Sequence, residues 1–219
     1  MIHLFRNIKK IQKKEVVFLF KNVKKFKKQL SVLSFVGILA FSVQPDATHA
    51  YSTFNDHTLT GGVGDWGNST QYYYISDLAQ PYSSTIQNAM SSWVNTGNTL
   101  STPISFRQTS NKPSSVMDIY ASSFYPATLN TIGQTTFFRS GSGINPSSQN
   151  WSWAKIEIND LVYNNQSSFN QRGTVAHEMG HAMGLDHTSN SGSIMTQLGS
   201  GRAVNVPDYN SLQGINYLY

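Results

Sequence analysis

The sequence predicts a mixed α/β (α+β) domain, and three observations carry that prediction. Short runs rich in Tyr, Ile, Phe and Val recur between loops of Ser, Gly, Asn and Pro. The stretch from Ile86 to Val94 has apolar residues at helical spacing. A second stretch with helical spacing, within Val175 to His187, carries histidines. Strands interleaved with a few helices are the pattern of a layered sheet-and-helix domain. No internal repeat and no second domain interrupt it.

Charge divides the chain in two. The formal net charge is +5, yet residues 1–50 hold ten Lys/Arg against Glu15 and Asp46, a net of +8. Residues 51–219 carry six basic and nine acidic side chains, a net of −3. The basic balance therefore gives no ground for nucleic-acid binding. Leu30 to Val43 follows the basic run, too short for the about 20 apolar residues of a membrane span. It suits the apolar core of a secretory signal, and Thr48-His49-Ala50 offers small residues where a signal peptidase reads. Residues 1–50 are thus expected to be a signal peptide with a long basic leader, cut between Ala50 and Tyr51. The mature chain, 51–219, would be extracellular, with no stable membrane association; an uncleaved anchor is the alternative. Cysteine is absent, which excludes thiol nucleophiles, thiolate zinc ligands and disulfides. About 170 residues can bury a sizeable core without them.

Along the mature chain, Tyr51 to Gly67 reads as an extended entry segment. Tyr72 to Ile75 has the aromatic character of a first strand. Pro81 and Ser83-Ser84 open a helix with Ile86, Ala89, Met90, Trp93 and Val94 on one face, and Gly97 is placed to cap it. Further strands are expected at Ile104 to Gln108, Val116 to Ala121, Ile132 to Phe138 and Trp153 to Asn159. Arg139 to Asn150 is the clearest loop.

Val175 to His187 reads V-A-H-E-M-G-H-A-M-G-L-D-H. His177 and His181 are four apart, so both imidazoles leave one face of a helix and can bind one Zn²⁺. Glu178 reaches the metal's open side without ligating it, where it can take a proton from water on the metal. Gly184 can adopt the left-handed conformation that ends a helix, and the returning chain brings His187 as a third nitrogen. Three protein ligands plus water is the pattern of a catalytic zinc. The full H-E-x-x-H-x-x-G-x-x-H fixes five positions, which makes it far more specific than H-E-x-x-H alone.

This segment resembles the zinc helix of the metzincin peptidases, most closely that of the matrixins, the matrix metalloproteinase family. Ser193-Ile194-Met195 resembles the family's methionine turn, with Met195 as the floor beneath the imidazoles. Thr58 to Gly61, the tyrosine-rich strand, the helix ending in Trp93, Thr102 to Phe106, and the closing Gly214 to Tyr219 follow the order of a matrixin catalytic domain. The resemblance implies a zincin/metzincin fold: a twisted, mostly parallel five-stranded sheet with an antiparallel edge strand and about three helices. Ile132 to Phe138 would be that edge, to which an extended substrate could add itself.

The departures from the family are specific. From Val116 to Asn159 there is no histidine for a structural zinc, and Asp118 and Asp160 are the only aspartates near the missing calcium loop. One zinc per chain is expected, with calcium left open. Trp151, Trp153 and Phe137 are the bulk available to hold that region. Asn210 and Ser211 stand where the family has an aspartate that pairs with the matured N-terminus. Thr196-Gln197 replaces the family's Pro-x-Tyr wall, so Gly199 to Pro207 is expected to line the pocket beside the metal.

The function implied is a secreted, monomeric zinc endopeptidase acting on protein or peptide substrates, with extracellular matrix as the setting the family suggests. Arg172 and His57 are the loose candidates for an oxyanion donor. Two alternatives stay open: a narrow-specificity zinc hydrolase of cell-surface material, and a catalytically weak surface-binding module.

Overall fold

Side chains on the central strands alternate between two faces, as the period of two in a strand requires. The strands are β1 (Gln71–Ile75), β2 (Phe106–Gln108), β3 (Met117–Ser122), β4 (Gly133–Arg139), β5 (Ser142–Ile144) and β6 (Trp153–Asn159). Tyr73, Ile75, Met117, Ile119, Ala154, Ile156 and Ile158 are buried on one face. Tyr72, Tyr74, Tyr120 and Lys155 fall on the other, less buried face. The structure is a computed structural model that describes residues 51–219. The expected signal peptide, 1–50, lies outside the described residues.

The sheet order is β2-β1-β3-β6-β4-β5. β1, β2, β3 and β6 run parallel, and β4 runs antiparallel to β6 and β5. The five expected strands are present within a residue or two of their ends, and a sixth is added. That sixth, β5, lies inside Arg139 to Asn150, which was expected to be loop throughout. Ser140 and Gly141, both at positive φ, make the tight turn that folds β5 back on β4. Because β5 pairs only with Phe137–Arg139, β4 keeps an open edge from Gly133 to Thr136.

Three main helices and one short one complete the fold: α1 (Ser83–Val94), α2 (Asp160–Tyr163), α3 (Ser168–Ala182) and α4 (Tyr209–Leu218). α1 buries Ile86, Ala89, Met90 and Trp93, the stripe read from the sequence. It stops at Val94, with Asn95 N–H donating to Ser91 O, so Gly97 lies beyond the end it was expected to cap. Trp93 Nε1 donates to Ala176 O at 3.0 Å, and Trp151 Nε1 donates to Ala182 O at 3.0 Å. Both indoles are fully buried, so each satisfies its one donor on the backbone of α3.

Termini and turns are drawn onto the same helix. Tyr219 Oη accepts from Leu59 N–H at 2.9 Å and donates to Met183 O at 3.1 Å. Asp208 caps α4, accepting from Asn210 N–H, Ser211 N–H and Ser211 Oγ, and also from Ile194 N–H at 2.9 Å. The carboxylate at the start of the last helix is therefore Asp208, committed to α4 and the methionine turn. Tyr51 instead lays its ring against Gly214 of α4.

Asp118 and Asp160 do not form a common site. Asp118 lies on β3 opposite Lys155, while Asp160 follows β6 and accepts from Ser123 Oγ at 2.9 Å. Phe137 and Trp151 pack at 4.8 Å between centroids, and Phe138 and Trp153 at 4.4 Å. Aromatic packing thus contributes to holding the region from Phe137 to Trp153.

Candidate active site

α3 begins with a capped turn and ends with a glycine turn, and both follow from local sequence. Ser167 Oγ accepts from Asn170 N–H at 3.3 Å, the ordinary serine cap. At the other end Leu185 N–H donates to Gly180 O at 3.0 Å and Gly184 N–H to His181 O at 2.9 Å. Gly184 has φ +107°, so this is the Schellman arrangement that its position predicted. The turn brings the chain back toward the helix, and with it His187. It also delivers Leu185 O to His181 Nδ1 at 2.8 Å.

His177 is oriented from the other side, its Nδ1 meeting Ile194 O at 2.8 Å. An imidazole that donates Nδ1–H to a carbonyl presents a bare lone pair at Nε2. The Nε2 atoms of His177, His181 and His187 converge to within 3.1–3.2 Å of one another. Acceptors facing each other at that distance call for a cation between them. Nitrogens that each lie about 2.0–2.1 Å from one zinc are roughly 3.1–3.4 Å apart, so the triad fits that ion. Among the described residues it is the one such group of His, Cys, Asp and Glu.

Burial keeps the ligands in the right protonation state. Desolvation, then the charge of a neighbouring histidine, lowers His177 well below its ordinary value and His181 to about 3. His187, though exposed, is also lowered by desolvation. Neutral imidazoles are what a metal needs.

Glu178 lies beside the triad and is 6% exposed. Thr135 of β4 donates Oγ–H to its Oε2 at 2.8 Å, while Oε1 accepts no hydrogen bond from the described residues. Burial raises its carboxyl to about 7, opposed by the Thr135 bond and the Arg202 charge. The group sits in a cleft of about 530 Å³. One wall is Leu129 to Thr135, leading into and along β4; the other is α3 with Gln197 to Ser200 and Arg202.

The three histidines of the motif converge, and Glu178 lines the same cleft. Met195 is buried with its sulfur against Gly180 of α3. Of the loop Gly199 to Pro207, Gly199, Ser200 and Arg202 line the cleft. The two oxyanion candidates do not reach it. Arg172 donates to Asn205 Oδ1 at 2.6 Å, and His57 Nδ1 is held by Phe54 O at 2.9 Å. Sequence reasoning missed Thr135, whose inward direction depends on strand register. It also missed Phe54, whose ring lies 5.6 Å from that of His181, and Arg202, which carried no motif.

A search of the curated proteins finds no match to this chain. The sequence profile described as Matrixin matches residues 66–219, which takes in every strand, all four helices and the histidine triad. The chain belongs to the matrixin family of zinc metalloendopeptidases.

Proposed function

We propose that Glu178 is the general base of this peptidase, and that the enzyme is a secreted monomer beginning at Tyr51. The observation that supports the first claim is a buried carboxylate beside three converging imidazoles, with one oxygen anchored and the other unengaged. Zinc, when bound by His177, His181 and His187, supplies the Lewis acidity that polarises a carbonyl and acidifies water. Glu178 Oε1 takes the proton of the attacking water, while Thr135 fixes the other oxygen. A carboxylate held beside the metal site can accept that proton and, once protonated, return it to the leaving amine.

Protein substrates follow from the family. The open edge of β4, Gly133 to Thr136, supports binding of an extended chain by main-chain hydrogen bonds. Secretion rests on the basic run and apolar core of residues 1–50. Among the described residues, no helix is long and apolar enough to cross a membrane.

Glu178→Ala tests the role of the base. It should bind zinc like the wild type yet lose about 10²–10⁴-fold in turnover; activity within a few-fold of wild type removes Glu178 from the mechanism. Mass spectrometry of the culture supernatant tests the leader. A species starting at Tyr51 is expected, and a full-length chain found only in membranes contradicts secretion.

A further inference from the structure

The turn Leu198–Ser200 ends at Gly201, φ +90°, and this left-handed step throws Arg202 inward against α3. Arg202 is 6% exposed, yet it lines the catalytic cleft together with Thr174, His177 and Glu178. Its guanidinium occupies the space beside Gly173, where a β-carbon would lie 2.9 Å from Nη2 and 3.2 Å from Nε. Nη2 makes two long contacts, 3.3 Å to Thr174 Oγ1 and 3.4 Å to Asn170 O. Nε is buried without a partner.

Among the described residues no carboxylate lies within 4 Å of this cation. The one ion pair within 4 Å among the described residues joins Lys155 to Glu157, on the opposite face of the sheet. The acid that Arg202 senses is Glu178, which proton transfer requires free. A buried guanidinium with neutral, stretched contacts is costly to keep unless something supplies the charge. Arginine's planar fork suits a carboxylate above other partners.

We propose that Arg202 is a specificity-determining residue that receives a carboxylate of the substrate in the pocket beside the metal. The proposal rests on the peptidase reading given above. The carboxylate has two sources: an Asp or Glu side chain next to the scissile bond, or the free C-terminus of a short peptide. Either would complete Arg202's unsatisfied donors and leave Glu178 to the water.

Matched peptides decide it. A single Glu, and in parallel a single Gln, is moved through the residues flanking the scissile bond of an otherwise apolar peptide. The zinc-loaded protein should prefer Glu over Gln at one position, by on the order of tenfold or more in kcat/KM. Peptides ending at that position as free acid or as amide separate the C-terminal source from the side-chain source. In Arg202→Leu the Glu/Gln ratio should fall to one or below. A purely structural role for Arg202 would instead slow both peptides equally and leave the ratio unchanged.

A pair of peptide hydroxamates bearing Glu or Gln gives a binding readout on the wild type that needs no turnover and no variant. The Glu compound should bind about tenfold tighter. Cleavage with neither a Glu preference nor a free-acid preference, or equal hydroxamate affinities without a free-acid preference, overturns the proposal and leaves the peptidase reading standing. Failure to cleave any peptide or bind either hydroxamate overturns both.

Discussion

Gly180 of α3 packs against the sulfur of Met195: a β-carbon at position 180 would collide with Sδ. Glycine inside a helix costs about 1 kcal/mol relative to alanine, so this contact explains its presence between the two helical ligands. The same turn supplies Ile194 O to His177, and Asp208 holds it from behind through Ile194 N–H. Helix, methionine turn and ligand orientation are thus one packed unit.

Gly180→Ala should therefore destabilise the fold and loosen the metal together. Overpacking of this kind costs typically 1–3 kcal/mol, despite the gain in helix propensity. Thermal unfolding of the metal-free variant and zinc retention during dialysis measure the two effects. A variant as stable as wild type would mean that Met195 moves aside without cost.

Metal-free protein should lose stability as the pH drops below about 6.5. Unfolded histidines bind a proton there, whereas folded His181 resists down to about 3, and His177 is also lowered. In that window the unfolded chain binds more protons, so stability falls by roughly 1.4 kcal/mol per pH unit for each such group. Glu178 acts in the opposite sense. Raised from 4.5 to about 7, it is the more protonated when folded, so its contribution grows as pH falls from 7 to 4.5. Two buried histidines against one carboxylate leave a net loss, which steepens below pH 4.5. Melts of chelated protein at pH 7, 5.5 and 4 should give falling midpoints. A higher midpoint at 5.5 than at 7 would show that Glu178 dominates.

One zinc per chain is expected. Residues 51–219 hold four histidines, three of them in the triad, and His57 is held by Phe54 O away from the cleft. Closed zinc sites prefer nitrogen and sulfur ligands, and there is no cysteine. Elemental analysis of protein purified without added metal should find a single equivalent. Two tightly held zinc ions would contradict this count.

The chemistry of the triad was legible because it is local. H-E-x-x-H places two ligands by helix period alone, and Gly184 signals the turn that returns His187. The strands were legible from their aromatic and β-branched runs. β5 was not, since Ser142-Gly143-Ile144 has little strand character and forms only because the Ser140-Gly141 turn presses it on β4. Thr135 and Arg202 escaped for a different reason. Thr135 reaches Glu178 from β4 and Arg202 reaches Thr174 from the loop before α4, and no spacing in one dimension encodes such meetings across the fold. Asp208 lay two residues before Asn210 and was overlooked because its role as a cap depends on where α4 starts.

The most direct test removes zinc with a chelator and returns it in steps while following cleavage of an unfolded protein such as casein. Cleavage should vanish in the stripped protein, rise in proportion to zinc, and level off at one equivalent. Proteolysis that survives complete zinc removal, or that never appears when the triad is filled, would contradict a zinc endopeptidase built on His177, His181 and His187.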